Sequence, residues 1–154
     1  MPIKLDAIDR RILRALQRDG RLQNQELAKQ VGLSASPCLR RVRLLEEAGV
    51  IERYVALLDP AKVSLGLTLF VRVWLKRQDR ETTDAFVEAV RQLPEVVECH
   101  VMAGDCDLML RVVAADLEAY RRFQVAHLTS LSVVQNVKTE VPMEKIKLTT
   151  ELPV

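Results

Sequence analysis

A chain of 154 residues, 49% of them apolar, is long enough for one domain or for two small ones with separate cores. Its opening stretch, MPIKLDAIDRR, has no apolar signal core, and the greasiest segment, Leu67 to Leu75, is interrupted by Arg72 and falls far short of a membrane span, so a cytoplasmic protein is expected. The formal charge of +2 is unevenly spread: residues 1–50 carry ten Lys and Arg against six Asp and Glu, and the remainder carries thirteen against fifteen. A basic first part without a broad, bulky apolar face suits nucleic acid better than a lipid surface.

In chain order, Asp9 to Asp19 holds Ile12, Leu13 and Leu16 at helical spacing, preceded by Ile8 and stopped by Gly20. Asn24 to Gly32, NQELAKQVG, predicts a short helix with Leu27, Ala28 and Val31 inward and Gly32 as a left-handed cap. Small Ala28 permits close approach, Gly32 lets the chain reverse, and Leu33 plugs the junction, a composition suited to a helix-turn-helix. The next helix is predicted to start at Ser36-Pro37, with Ser as cap and Pro at the first helical position. At a hundred degrees per residue, Cys38, Val42 and Leu45 form the packed stripe, and Ser36, Arg40, Arg43 and Glu47 lie opposite. Such a face supplies donors for phosphates and Arg forks for guanine edges in a major groove.

After Gly49 the period falls to two. Val50 to Asp59, VIERYVALLD, predicts a strand that leads through Ser64 and Gly66 into the second half. Leu67 to Lys76 then sets Leu69, Val71, Val73 and Leu75 on one face and Phe70, Arg72 and Trp74 on the other. A helix over 81–93 turns Phe86, Val90 and Leu93 inward; strands over 96–103 and 108–113 form a hairpin through GDCD; a second helix over 117–128 has Leu117, Tyr120, Gln124 and Leu128 on a stripe. A last strand runs from about Val133, with Pro142 demoting its far part to an edge. None of Cys38, Cys99 and Cys106 belongs to a CxxC pair, and each is read as a small buried hydrophobe.

The fold class is therefore α+β: an N-terminal helix-turn-helix and a C-terminal ferredoxin-like βαββαβ unit, divided as residues 1–50, a hinge strand and linker over 51–66, and residues 67–154. Helices cover one sheet face. The other carries Phe70, Trp74, Met102 and Met109 beside Arg72, Glu98, His100 and Arg111, a mixture best buried against a copy of itself, so a homodimer is expected.

With RLQNQELAKQVGLSASPCLRRVRLLEEAGVI, the hinge YVALLDP, ECHVMAGDCDLMLRV and the closing KLTTELP in this order, nearly the whole chain resembles the Lrp/AsnC family of bacterial and archaeal transcription regulators. The resemblance implies a winged helix-turn-helix, an effector (RAM) domain, dimers built through its sheets, and rings or octamers of dimers. It places the face for double-stranded DNA on Ser34, Ser36, Pro37, Arg40, Arg41 and Arg43, with Asn24 near the DNA backbone. Arg41 lies on the flank of the packed stripe, where a phosphate contact or an intramolecular acidic partner is expected. An amino-acid effector, with no other cofactor, would sit between dimers against Ala103, Gly104, Asp105, Asp107 and Leu108, with Thr149 and Thr150 lining the same pocket. Gly104 would admit the ligand, and Asp105 or Asp107 would pair with an α-ammonium. Relatives often carry an aromatic after the second Asp; Leu108 and then Met109 stand here, which argues against assuming leucine as effector.

Two other readings share these features. Siroheme decarboxylases have a similar fold, and His100 or His127 could serve as an acid, but no metal-ligand cluster, phosphate loop or nucleophile paired with a base is present by motif. An architectural protein coating DNA without an effector would differ from a specific regulator only in its specificity ratio.

Overall fold

The computed structural model describes residues 4–154, so the first three residues of the opening stretch lie outside the described part. The chain forms two compact units, Met1–Leu57 with Lys147–Val154, and Leu58–Ile146. The closing segment thus joins the first unit, although the sequence grouped it with the second. No helix among the described residues is long and apolar enough to cross a membrane.

In the first unit, α1 (Ala7–Arg18) starts at a reciprocal cap. Asp6 accepts from the amides of Ile8 and Asp9, and the Asp9 carboxylate accepts from the Asp6 amide. Gly32, at φ 76°, ends α2 (Asn24–Val31) in the left-handed region, where a Cβ would be strained. The Leu33 amide then reaches back to Ala28 O at 2.9 Å, closing the tight turn. Helix α3 (Ala35–Glu47) begins earlier than expected, with Ser34 at the cap rather than Ser36. Pro37 is therefore third in the helix, still within the first turn, whose amides have no intrahelical partner to lose. Ile12, Leu13, Leu27, Ala28, Val31, Cys38 and Leu45 form the core, and half-buried Val42 packs on it.

Residues 50–59 form no strand. Their alternation is real, but a strand exists only as one side of a hydrogen-bonded ladder, and no partner strand is present among the described residues. Val55, Leu57 and Leu58 stay exposed.

The second unit follows the order β1 (Leu67–Leu75), α4 (Arg80–Arg91), β2 (Val96–Val101), β3 (Leu108–Ala114), α5 (Leu117–Phe123), β4 (Val134–Glu140). All pairings are antiparallel, in the spatial order β2-β3-β1-β4 of a ferredoxin-like sheet. Leu69, Val71, Val73 and Leu75 of β1 pack with Leu108, Leu110 and Val112 of β3 beneath Phe86, Val90, Tyr120 and Phe123. The helical stripe after Leu117 shifts from the expected one: Tyr120, Phe123 and Leu128 are buried, and Leu117 is exposed. After Phe123 the helix continues as a π turn over Gln124–Leu128, in which the Thr129 amide bonds Gln124 O. One extra residue in the turn brings Leu128 inward in place of His127, whose ring rests against Phe123 at 5.5 Å.

The opposite sheet face has no covering helix. Register pairs Phe70 and Glu98 with Arg111, and Arg72 and His100 with Met109, so these side chains share that face. Arg111 Nη2 lies 2.7 Å from Glu98 Oε1 and holds the Glu98 carboxyl below its usual range; His100 Nε2 is 3.5 Å from the same carboxylate. Cys38 and Cys106 are buried as expected, but Cys99 is exposed, because β2 is the sheet's edge and an open groove lies between it and Val87, Val90 and Arg91 of α4.

Candidate nucleic-acid interface and hairpin turn

The geometry sorts the arginines of α3. Arg41 Nη1 lies 2.7 Å from Asp6 Oδ2 and 2.7 Å from Asp9 Oδ1, bolting α3 to the start of α1. Its guanidinium is raised above its ordinary value by the Asp9 bond and then the Asp6 bond. Of the two roles expected for Arg41, the intramolecular pair is the one present. Arg40 and Arg43 are exposed and have no ion-pair partner among the described residues. With Ser36, Leu39, Leu44 and Glu47 they line a shallow groove along α3. Ser34 and Pro37 are also exposed at its amino end.

Asn24 is half-buried at the start of α2, and its Nδ2 donates to Ala35 O at 2.8 Å. This bond ties the two helix starts together, so Asn24 sets the angle at which α3 is presented. A further support was not read from the sequence: the Tyr54 hydroxyl donates to Glu46 Oε1 at 3.0 Å. A Cβ at Gly20 would stand 3.3 Å from the Tyr54 ring, so the ring rests on the bend after α1. Burial, with the Glu46 carboxylate second, pushes the Tyr54 phenol up to about 12. The signal was one aromatic in an otherwise unpaired hinge.

The hairpin turn between β2 and β3 has two aspartates in different states. Asp107 is built into the scaffold: Oδ2 accepts from the Leu75 amide at 2.7 Å and Oδ1 from Gln78 Nε2 at 2.9 Å. Asp105 keeps an 81% exposed side chain, with Arg72 Nη1 3.7 Å away, while its carbonyl accepts from Trp74 Nε1 at 2.7 Å. Ala103 and Gly104 are exposed, and a Cβ on Gly104 would meet nothing within 4 Å. Leu108 was expected on the ligand side but is fully buried, since it is the first inward residue of β3. Thr149 and Thr150 fall in the first unit, where Thr149 Oγ1 accepts from the Glu151 amide. The neighbouring segment is held there by Arg14, Gln17 and Arg18 of α1.

A helix-turn-helix with a cationic outer face, followed by a separate ferredoxin-like unit with an exposed acidic turn, defines a two-part DNA-binding regulator. Residues 5–52 match the family model for winged helix-turn-helix DNA-binding, and residues 68–152 match the one for the Lrp/AsnC ligand binding domain. The leucine-responsive regulatory protein of Escherichia coli K12 is 44% identical over 148 residues, covering 96% of this chain and 90% of that protein. Among solved structures, the L-Met complex of a transcriptional regulator from Neisseria meningitidis superposes with a TM-score of 0.93 at 41% identity, covering 97% of each chain. An AsnC family regulator from Agrobacterium tumefaciens gives 0.91 at 46%, also covering 97% of each. The chain belongs to the Lrp/AsnC family of transcriptional regulators. It has a DNA-binding and a ligand-binding domain and is not an enzyme.

Proposed function

We propose that this regulator reads specific double-stranded DNA with Ser34, Ser36, Pro37, Arg40 and Arg43 of the α3 region, and changes that binding when an amino acid occupies the turn at Ala103, Gly104 and Asp105. The observation that carries the DNA reading is the division of labour on α3. Arg41 is consumed by Asp6 and Asp9, whereas Arg40 and Arg43 project from the same helix without ion-pair partners among the described residues. An unpaired guanidinium offers a bidentate fork to guanine or phosphate.

The effector reading rests on Asp105. Its carboxylate is exposed beside a glycine whose neighbourhood is open, which suits an α-ammonium, and neighbouring main-chain amides suit an α-carboxylate. The bound L-Met of the Neisseria meningitidis relative supports an amino acid as the ligand class. Dimers through the uncovered sheet face, and rings or octamers of them, belong to the same proposal. Phe70, Trp74 and Met109 are only half-buried there.

The test is binding to DNA upstream of the protein's own gene and to random DNA of equal length, across a salt series, with and without a panel of amino acids. Tighter binding to the upstream DNA, altered by one amino acid, is the expected result. Equal and steeply salt-dependent binding to both, untouched by every amino acid, would identify an architectural DNA-coating protein instead.

A further inference from the structure

The chain passes between its two units twice, at Leu57–Leu58 and again at Ile146–Lys147. The second crossing ends in a docked segment. Gln17 binds both main-chain groups of Leu152: its Nε2 donates to Leu152 O at 3.1 Å, and its Oε1 accepts from Leu152 N at 2.6 Å. Arg14 Nε donates to Val154 O at 2.6 Å, Arg18 Nε lies 3.0 Å from Glu151 Oε1, and the half-buried Val154 packs against the helix-turn-helix core. These polar contacts are at the surface, where each contributes little, so docked and released forms of the segment differ by a small free energy. A small bias at its root is therefore enough to shift it.

That root is the end of β4. Glu140, the last residue of the strand, has Arg72 Nη2 3.3 Å from its carboxylate and Lys138 Nζ 3.6 Å from it. The other arm of the same guanidinium, Nη1, faces Asp105 of the hairpin turn at 3.7 Å, and Arg72 Nε is buried with no partner. Arg72 is thus shared between two carboxylates and fully satisfied by neither. Between Glu140 and Lys147 lie six residues without regular structure, a tether of at most about 25 Å.

We propose that residues 147–154 form a releasable strap that carries the state of the Asp105 turn, through Arg72 and Glu140, to α1 of the DNA-binding unit. A cation that takes the Asp105 carboxylate leaves Arg72 to Glu140, which fixes the end of β4 and favours the docked strap. Loss of the Glu140 charge has the opposite effect. The inference rests on reading the turn as the sensing element.

Hydrogen exchange of the peptide covering 147–154 tests it in the full chain, without DNA or ligand. Asp105→Asn, at an exposed side chain, should slow exchange there by about threefold or more, the scale of one surface ion pair. Glu140→Gln should speed it by about the same factor, and Gln17→Ala, which removes the clamp itself, should speed it further. Unchanged exchange in both Asp105→Asn and Glu140→Gln would overturn the proposal, as would an effect of the same sign in both. Failure of the effector reading shows separately, as DNA binding that no amino acid alters.

Discussion

Arg41 Nη1 lies 2.7 Å from Asp9 Oδ1, and this contact across two helices leaves Arg40 and Arg43 as the arginines of α3 without an ion-pair partner among the described residues. Arg40→Ala should cost about 1–3 kcal/mol of specific binding and relax sequence preference, with the melting temperature of the protein unchanged. Arg41→Ala should instead lower the melting temperature, because it leaves Asp6 and Asp9 without their cation at the helix junction. Anisotropy titrations on specific and random DNA, set beside calorimetry of both variants, separate the two roles. Equal loss on both DNAs would contradict base reading by Arg40.

The Tyr54 phenol provides a pH prediction. Its folded pKa of about 12 stands above the ordinary 10. Folding therefore favours the protonated phenol: the stabilisation is fully present below pH 10 and is lost as pH rises toward 12. Tyr120, the only other tyrosine, is also raised, with burial as the main cause. An absorbance titration of the native protein should show an ionisation near pH 12, and Tyr54→Phe should remove it along with the bond to Glu46.

Trp74 is the sole tryptophan, and its indole N–H is bonded to the Asp105 carbonyl. Its fluorescence should report occupation of the turn without a label. A shift in emission with one amino acid, absent in Asp105→Ala, is expected. The same shift retained in Asp105→Ala would place the ligand elsewhere.

Asp107 and Asp105 should fail differently on truncation. Asp107→Ala leaves the Leu75 amide without its acceptor and should cost about 1–3 kcal/mol of stability in denaturant melts. Asp105→Ala should leave stability within about 0.5 kcal/mol, as for an exposed side chain outside the core. A larger loss for Asp105 than for Asp107 would reverse the roles assigned to them.

The elements that follow from periodicity were legible in the residues alone. Leu69, Val71, Val73 and Leu75 alternate and are all buried, and Gly32 ends α2 as its lack of a Cβ allows. These depend on near neighbours along the chain, so spacing suffices to read them. The basic face of α3 was legible for the same reason. The pairings of polar groups depend instead on residues far apart in sequence. Arg41 is bound by acids 32 and 35 positions away. Asp107 is occupied by an amide 32 positions away, and the segment that carries Thr149 is drawn to α1 by residues more than 130 positions away. Periodicity fixes which side of an element is apolar, but the partner of a polar group is set by where folding brings a distant donor or acceptor. The stretch 50–59 shows the limit from the other side: its alternation has the form of a strand, and without a ladder partner among the described residues it does not become one.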